Sequence, residues 1–283
     1  MQTLRTRTLI DDLAFAEGPR WHAGRLFISD MHSQTVLAVD LDGRRETIAY
    51  VPGDPSGLGW LPDGRLLVVS MTDRRVLCVS ADGTQTEHAD LSGLASFHCN
   101  DMVVDRQGRA YVGNFGWDLH GGGSPTKAEL ILVEPDGRAR VVADDLEFPN
   151  GSVISDDGRT LIVGETMGQR LTAFDVEADG SLSHRRVWAQ LEGILPDGIA
   201  LDAEGAIWVA SPISHGCFRV LAGGELSHKV EVDHQAFACM LGGPERRDLF
   251  ICTASSSRPD ACAARRDGRI EVVRVDVPGA GLP

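Results

Sequence analysis

No apolar run in this chain approaches the ~18 residues that a membrane-spanning helix needs. The first residues, Met1 to Arg7, are polar and carry two arginines, without the apolar stretch of a secretory leader. The expected setting is therefore the cytoplasm, away from a membrane. The six cysteines, Cys78, Cys99, Cys217, Cys239, Cys252 and Cys262, form no C-x-x-C pair. A zinc knuckle or a dithiol redox motif is thus unsupported, and free thiols in a reducing compartment are expected. There is no G-x-S-x-G elbow, so a covalent serine hydrolase has no sequence support. Basic residues are outnumbered, 27 Lys and Arg against 41 Asp and Glu, for a formal net charge of −14. A surface that negative repels phosphate backbones, which argues against nucleic acid as a partner.

What the chain has in quantity is glycine, 32 residues in 283, much of it in Asp-Gly pairs. Such pairs mark tight turns between short strands. One pattern recurs behind these turns: an apolar strand that ends in a small or polar residue. Its copies are residues 25–30, 65–70, 109–114, 160–165, 206–211 and 248–253. The six copies lie about 40 to 50 residues apart, which is the period of a propeller blade. Blade two shows all four of its strands, near residues 58–61, 65–70, 75–80 and 84–89. The reading is an all-β fold, a six-bladed β-propeller with four antiparallel strands per blade. It forms a single domain over residues 1–283. The strand at residues 6–11 completes the last blade after the strand at 269–275 and closes the ring.

Propeller topology then locates a site. The first strand of each blade lines the central channel. Its start lies on the same face as the loops between second and third strands, and the Asp-Gly turns lie on the opposite face. The residues opening the six first strands are Glu17, Ser56, Asn100, Asn150, Asp197 and Ala238, each 8 to 10 residues before its second strand. Taken alone, Asn150-Gly151 and Asp197-Gly198 are ordinary turn pairs. Asn100 read alone is a strand cap. In shared register, however, two carboxylates and two amides converge on one channel mouth. That donor set suits a hard divalent cation, Ca²⁺, Mg²⁺ or Mn²⁺, or Zn²⁺ on oxygen ligands.

At these residues the chain resembles the gluconolactonase/regucalcin (senescence marker protein) family. The matching segments are Ala16 to Trp21, Cys99-Asn100-Asp101, Pro149-Asn150-Gly151, Pro196 to Asp202 and Gly205 to Ala210. The resemblance implies a six-bladed propeller with one divalent metal, many of whose members hydrolyse lactones. It implies Glu17, Asn150 and Asp197 as metal ligands, Asn100 as a contact to substrate or a metal-bound water, and Asp197 also as general base. Sugar-lactonase members often carry Arg two residues before the third-blade Asn, where this chain has His98. His98 is accordingly a candidate substrate contact.

The loop at residues 115–128, with Trp117, Asp118, His120 and three consecutive glycines, reads as a lid over the site or as a tolerated surface insertion. Trp117 and Asp118 are expected to contact substrate. Met167, His215 and Phe237 are further wall candidates, and Glu165 has no assigned role. The leading function is metal-dependent hydrolysis of a lactone or related ester. A metal- or ligand-binding propeller without catalysis and a protein-interaction propeller are the alternatives. Substrate identity, native metal and oligomeric state are left open.

Overall fold

The computed structural model describes residues 1–282. It contains six sheets arranged as the blades of a propeller. Blade one is Ala16–His22, Arg25–Asp30, Thr35–Val39 and Arg45–Tyr50, hydrogen-bonded in that order. Blades two, three and four repeat this arrangement from their inner strands Pro55–Trp60, Cys99–Val104 and Pro149–Ile154. Blade five begins at Ile199–Leu201. In blade six, Gln235–Gly242, Asp248–Ala254 and Gly268–Arg274 are joined by Arg7–Leu13 as the outermost strand. The chain start thus pairs antiparallel with the last strand and closes the ring, as the sequence predicts.

The turns form for local reasons. At Asp63-Gly64 and Asp82-Gly83 the Asp carboxylate accepts the N–H two residues on, from Arg65 and Thr84. The glycines take φ of +89° and +82°, where a side chain would be strained. The strands between them are apolar on both faces, because each blade is covered by a neighbour on each side. Six of the seven apolar clusters among the described residues lie between adjacent blades. The seventh, containing Phe15, Phe115, Trp117, Phe148 and Phe237, lies above the channel mouth. All six cysteines are free and buried.

The inner strands are held unusually close. A Cβ added at Gly57 would sit 2.4 Å from the Met102 amide nitrogen. At Gly151 it would sit 2.6 Å from the Ile199 amide nitrogen, and at Gly198 2.5 Å from the Ala238 Cβ. The pairing register also slips at this level, between Glu17 and Arg20, Pro55 and Leu58, Cys99 and Met102, and Pro149 and Ser152. A bulge of this kind re-aims the side chain it carries. Here it does so at the start of the inner strand in blades one to four.

Two features were not expected from sequence. Gln2–Arg5 adds to Leu226–Glu231 as a parallel fifth strand on blade five, with Leu4 against the cluster between blades five and six. One apolar residue in four gives no periodic signal. The connection at residues 255–267 carries an α-helix, Pro259–Arg265, with Pro at its first turn.

No helix of the described residues is long and apolar enough to cross a membrane.

Gly57→Ala is expected to cost about 1–3 kcal/mol, the usual range for overpacking against a rigid backbone. Gly93 has open space around it, so Gly93→Ala is expected to be neutral. Thermal melts of the two variants check this. Equal melting temperatures would contradict the close-approach argument.

Candidate active site at the channel mouth

The donor residues reach the channel from different blades, and the backbone fixes each one. Glu17 lies in the first inner strand and Asn150 in the fourth; Asp197 stands two residues before the fifth. The Asp197 N–H donates to Ala210 O, and its own carbonyl accepts the Gly151 N–H at 3.2 Å. Thr166 ties the neighbours together, its hydroxyl donating to Pro196 O at 2.7 Å. The Asn150 Nδ2 donates to that same hydroxyl at 3.3 Å. With its nitrogen so used, Asn150 has Oδ1 left as an oxygen donor. Ser56 donates to Asn100 Oδ1 at 3.4 Å, which turns the Asn100 Nδ2 into the free end of that amide.

Glu17 and Asp197 are both buried. Burial pushes the Glu17 carboxyl up from its ordinary range, and the nearby Asp101 charge adds to this. Burial likewise pushes Asp197 well up, reinforced by Glu17 itself. Glu17 accepts only the Gly18 N–H, at 3.0 Å. Two facing carboxylates with so few donors are a poor arrangement for a protein alone and a good one around a cation. Among the described residues no three His, Cys, Asp or Glu side chains cluster for a metal. The present set reaches three oxygen donors only by including the Asn150 amide.

Beneath this floor Arg20 closes the channel. Its guanidinium donates to Leu58 O at 3.0 Å, Pro19 O at 2.8 Å, and Asp101 Oδ1 and Met102 O at 2.6 Å each. The Arg20–Asp101 pair is almost wholly buried, and every Arg20 nitrogen has an acceptor. The sequence reading had missed this pair. The signal was present, since Arg20 and Asp101 lie within the same motifs as Glu17 and Asn100.

Above the floor is a pocket of about 320 Å³ to which all six blades contribute. Glu17, Asn100, Asn150 and Asp197 line it together with His98, Asp118, Phe237 and Met167. Its walls are mostly apolar, from Phe15, Met31, Met71, Phe97, Phe115, Phe148 and Leu195. No Arg or Lys is among its lining residues. His32, His98 and His120 supply the rim. His98 stacks on Phe97 with ring centroids 4.1 Å apart, and burial lowers its pKa, which favours the neutral ring.

Two expectations, on Trp117 and His215, are corrected. Trp117 does not close over the opening: it is buried edge-on against Phe148, with centroids 5.4 Å apart, and Phe148 is the lining residue. The loop enters inward, because Gly116 turns at φ +79° and its N–H is held by Asn114 Oδ1. Asp118 lines the pocket as expected, and its Oδ1 also accepts the Gly121 N–H, which shapes the glycine turn. His215 is outside the pocket, facing the His234 carbonyl at 3.2 Å.

Glu165 acquires a role. It is fully buried and accepts from Arg170, Thr172, Arg185 and the Glu147 N–H. Burial alone would raise its pKa, but these donors outweigh it and hold the carboxyl below its ordinary value. It anchors the strand end from which Thr166 reaches the floor.

The matched family model is the SMP-30/Gluconolactonase/LRE-like region, over residues 15–255. Pentonolactonase XacC of Haloferax volcanii is 26% identical, with 98% of this chain and 96% of that protein aligned. Among solved structures, a calcium-binding regucalcin from Agrobacterium tumefaciens superposes with a TM-score of 0.83 at 22% identity, covering 100% of this chain and 98% of that one. A gluconolactonase from Xanthomonas campestris gives 0.75 at 26% identity, with 96% and 88% covered.

Because the Glu165 pKa is depressed on folding, its contribution to stability is complete above the unfolded value of 4.5 and is lost as pH falls through the folded value. Glu165→Gln is therefore expected to cost about 1–3 kcal/mol at neutral pH, the range for charge-assisted hydrogen bonds to partly exposed arginines. The deficit should shrink below pH 4.5. Denaturation across pH 3–7 measures it, and a pH-independent difference would contradict the assignment.

The match of 241 residues (15 through 255) spans every inner-strand donor described above, and the chain belongs to the SMP-30/gluconolactonase/LRE-like family.

Proposed function

We propose that the chain is a divalent-metal-dependent hydrolase of lactones or related carboxylic esters. The observation that carries this reading is the pair of buried carboxylates, Glu17 and Asp197, at the floor of an apolar pocket. The lactonase names of the Haloferax and Xanthomonas relatives agree with it. Glu17, Asn150 and Asp197 are the residues that would hold the metal. Their all-oxygen character suits Ca²⁺, Mg²⁺ or Mn²⁺ better than Zn²⁺, which favours nitrogen and sulfur. A cation bound there supplies Lewis acidity, polarising the carbonyl and lowering the pKa of water.

The protein's own groups do the rest. Asp197 accepts a proton as water attacks the carbonyl carbon. Asn100 Nδ2 donates toward the oxygen that gains negative charge. When the ring C–O bond breaks, the proton held on Asp197 passes to the leaving alkoxide, and His98 would contact substrate from the pocket wall. The Phe115, Phe148 and Phe237 rings exclude water and hold the apolar body, with Trp117 supporting Phe148 from behind.

Asp197→Asn is expected to lower kcat at least ~10²-fold at saturating metal and to weaken metal binding as well. A kcat within a few-fold of wild type would remove Asp197 as the base. Chelation is expected to abolish turnover, with recovery on adding Ca²⁺ or Mn²⁺. Metal binding without turnover on a broad lactone panel would leave a binding protein.

Substrate choice follows from the lining. An Arg at the His98 position would offer a fork of donors to polyhydroxylated substrates, whereas neutral His offers one. With no Arg or Lys lining the pocket and phenylalanines in its wall, simple aliphatic or aromatic lactones are expected to show higher kcat/KM than gluconolactone. The ranking is read from kcat/KM on both classes. Gluconolactone as best substrate, with the ranking unchanged in His98→Ala, would overturn it.

A further inference from the structure

A second cavity, of about 690 Å³, is at the other mouth of the channel. Turns of blades one, two, three and six build it, and the C-terminal segment covers the remaining two blades. That segment is held by the Ile154–Leu282 and Asp202–Gly279 bridges. The buried Arg20–Asp101 pair lies between this cavity and the carboxylate floor, and Arg20 lines the cavity from above. The two pockets are therefore separate.

Most of its charged groups are already matched. Arg20 has its four acceptors. Asp105 is held by Arg109 at 2.6 Å, and Arg106 pairs with Asp156 at 2.8 Å. Arg246 is different. Among the described residues it makes no side-chain hydrogen bond and no ion pair, and its Nε is shut away from solvent without an acceptor. Among the described carboxylates, Asp156 acts on Arg246 through its charge alone, without a hydrogen bond. Around it the lining is aromatic. His22 and Trp60 stack with centroids 4.0 Å apart and planes 7° from parallel, and Trp21 lies parallel to Phe250.

We propose that this opposite-face cavity is a second binding site, for an organic carboxylate with a flat apolar body, anchored by Arg246 against Trp21, His22 and Trp60. A guanidinium matches a carboxylate with two parallel hydrogen bonds. A single guanidinium without a hydrogen-bond partner among the described residues suits one negative charge better than the two of a phosphate monoester. The aromatic lining supplies contact area for a ring.

Benzoate and its uncharged analogue benzamide are suitable probes, with intrinsic tryptophan fluorescence and calorimetry as readouts on the full chain. Benzoate is expected to saturate, and benzamide to bind at least about tenfold more weakly, as the loss of one charge-assisted contact gives. Arg246→Gln should lose a similar factor and Arg246→Lys less, with thermal melts showing both variants folded. Phe237→Ala, in the other pocket, should leave benzoate affinity unchanged. No saturable benzoate binding, equal binding of benzamide, or indifference to both Arg246 variants would overturn the proposal. Loss of binding in Phe237→Ala alone would overturn it too, by placing benzoate in the upper pocket. None of these readings depends on lactone turnover, so the result stands apart from that of the proposed hydrolase.

Discussion

The structure depends on the distance of closest approach between inner strands. Gly57, Gly151 and Gly198 stand where a Cβ would fall within 2.4–2.6 Å of the next blade. At Gly18 the same clash would be with the Ser56 carbonyl at 2.5 Å, and φ there is +53°. Only a residue without a side chain fits. Of the residues before these glycines, Glu17, Asn150 and Asp197 line the pocket. The ring is tight because of the glycines, and it is because the ring is tight that donors from three blades reach one point. The repeated dipeptides thus record a packing requirement and a chemical one at adjacent positions.

Charge is organised around the same axis in layers. Glu17 and Asp197 form an acidic floor: burial pushes both toward the neutral form, with the Asp101 charge adding to this at Glu17 and the Glu17 charge at Asp197. Just below, Arg20 and Asp101 form a neutral pair whose hydrogen bonds are complete. Arg20 offsets part of the charge on Glu17 but is committed to four acceptors, so it does not serve as the counter-ion for the floor. The cation proposed above would supply that counter-charge, and the apolar pocket would strengthen any field it exerts. The lower cavity, beyond the Arg20 plug, carries the opposite imbalance at Arg246.

The blades were legible in the sequence because short apolar strands, Asp-Gly turns and repeat length are local signals. The convergence of Glu17, Asn100, Asn150 and Asp197 on one pocket was legible too, since a propeller gives equivalent positions the same place. What escaped was set by contacts that no local pattern encodes. The inward turn of Trp117 follows from the Asn114 bond to Gly116. The burial of Glu165 under two arginines depends on neighbours in the next strands, Arg170 and Arg185. Leu4 and the strand Gln2–Arg5 gained structure only from the edge they meet. The Arg20–Asp101 pair spans 81 residues of sequence and reaches across blade two, whose Leu58 carbonyl Arg20 also meets, so no local pattern encodes it.

The central claim is that the floor of the upper pocket is a cation site. Crystals soaked in Mn²⁺ and measured at a wavelength where manganese scatters anomalously test it most directly. The account predicts one strong peak within coordination distance of the Glu17, Asn150 and Asp197 side chains, absent in Glu17→Gln crystals treated alike. A peak elsewhere in the channel, or none, would contradict it.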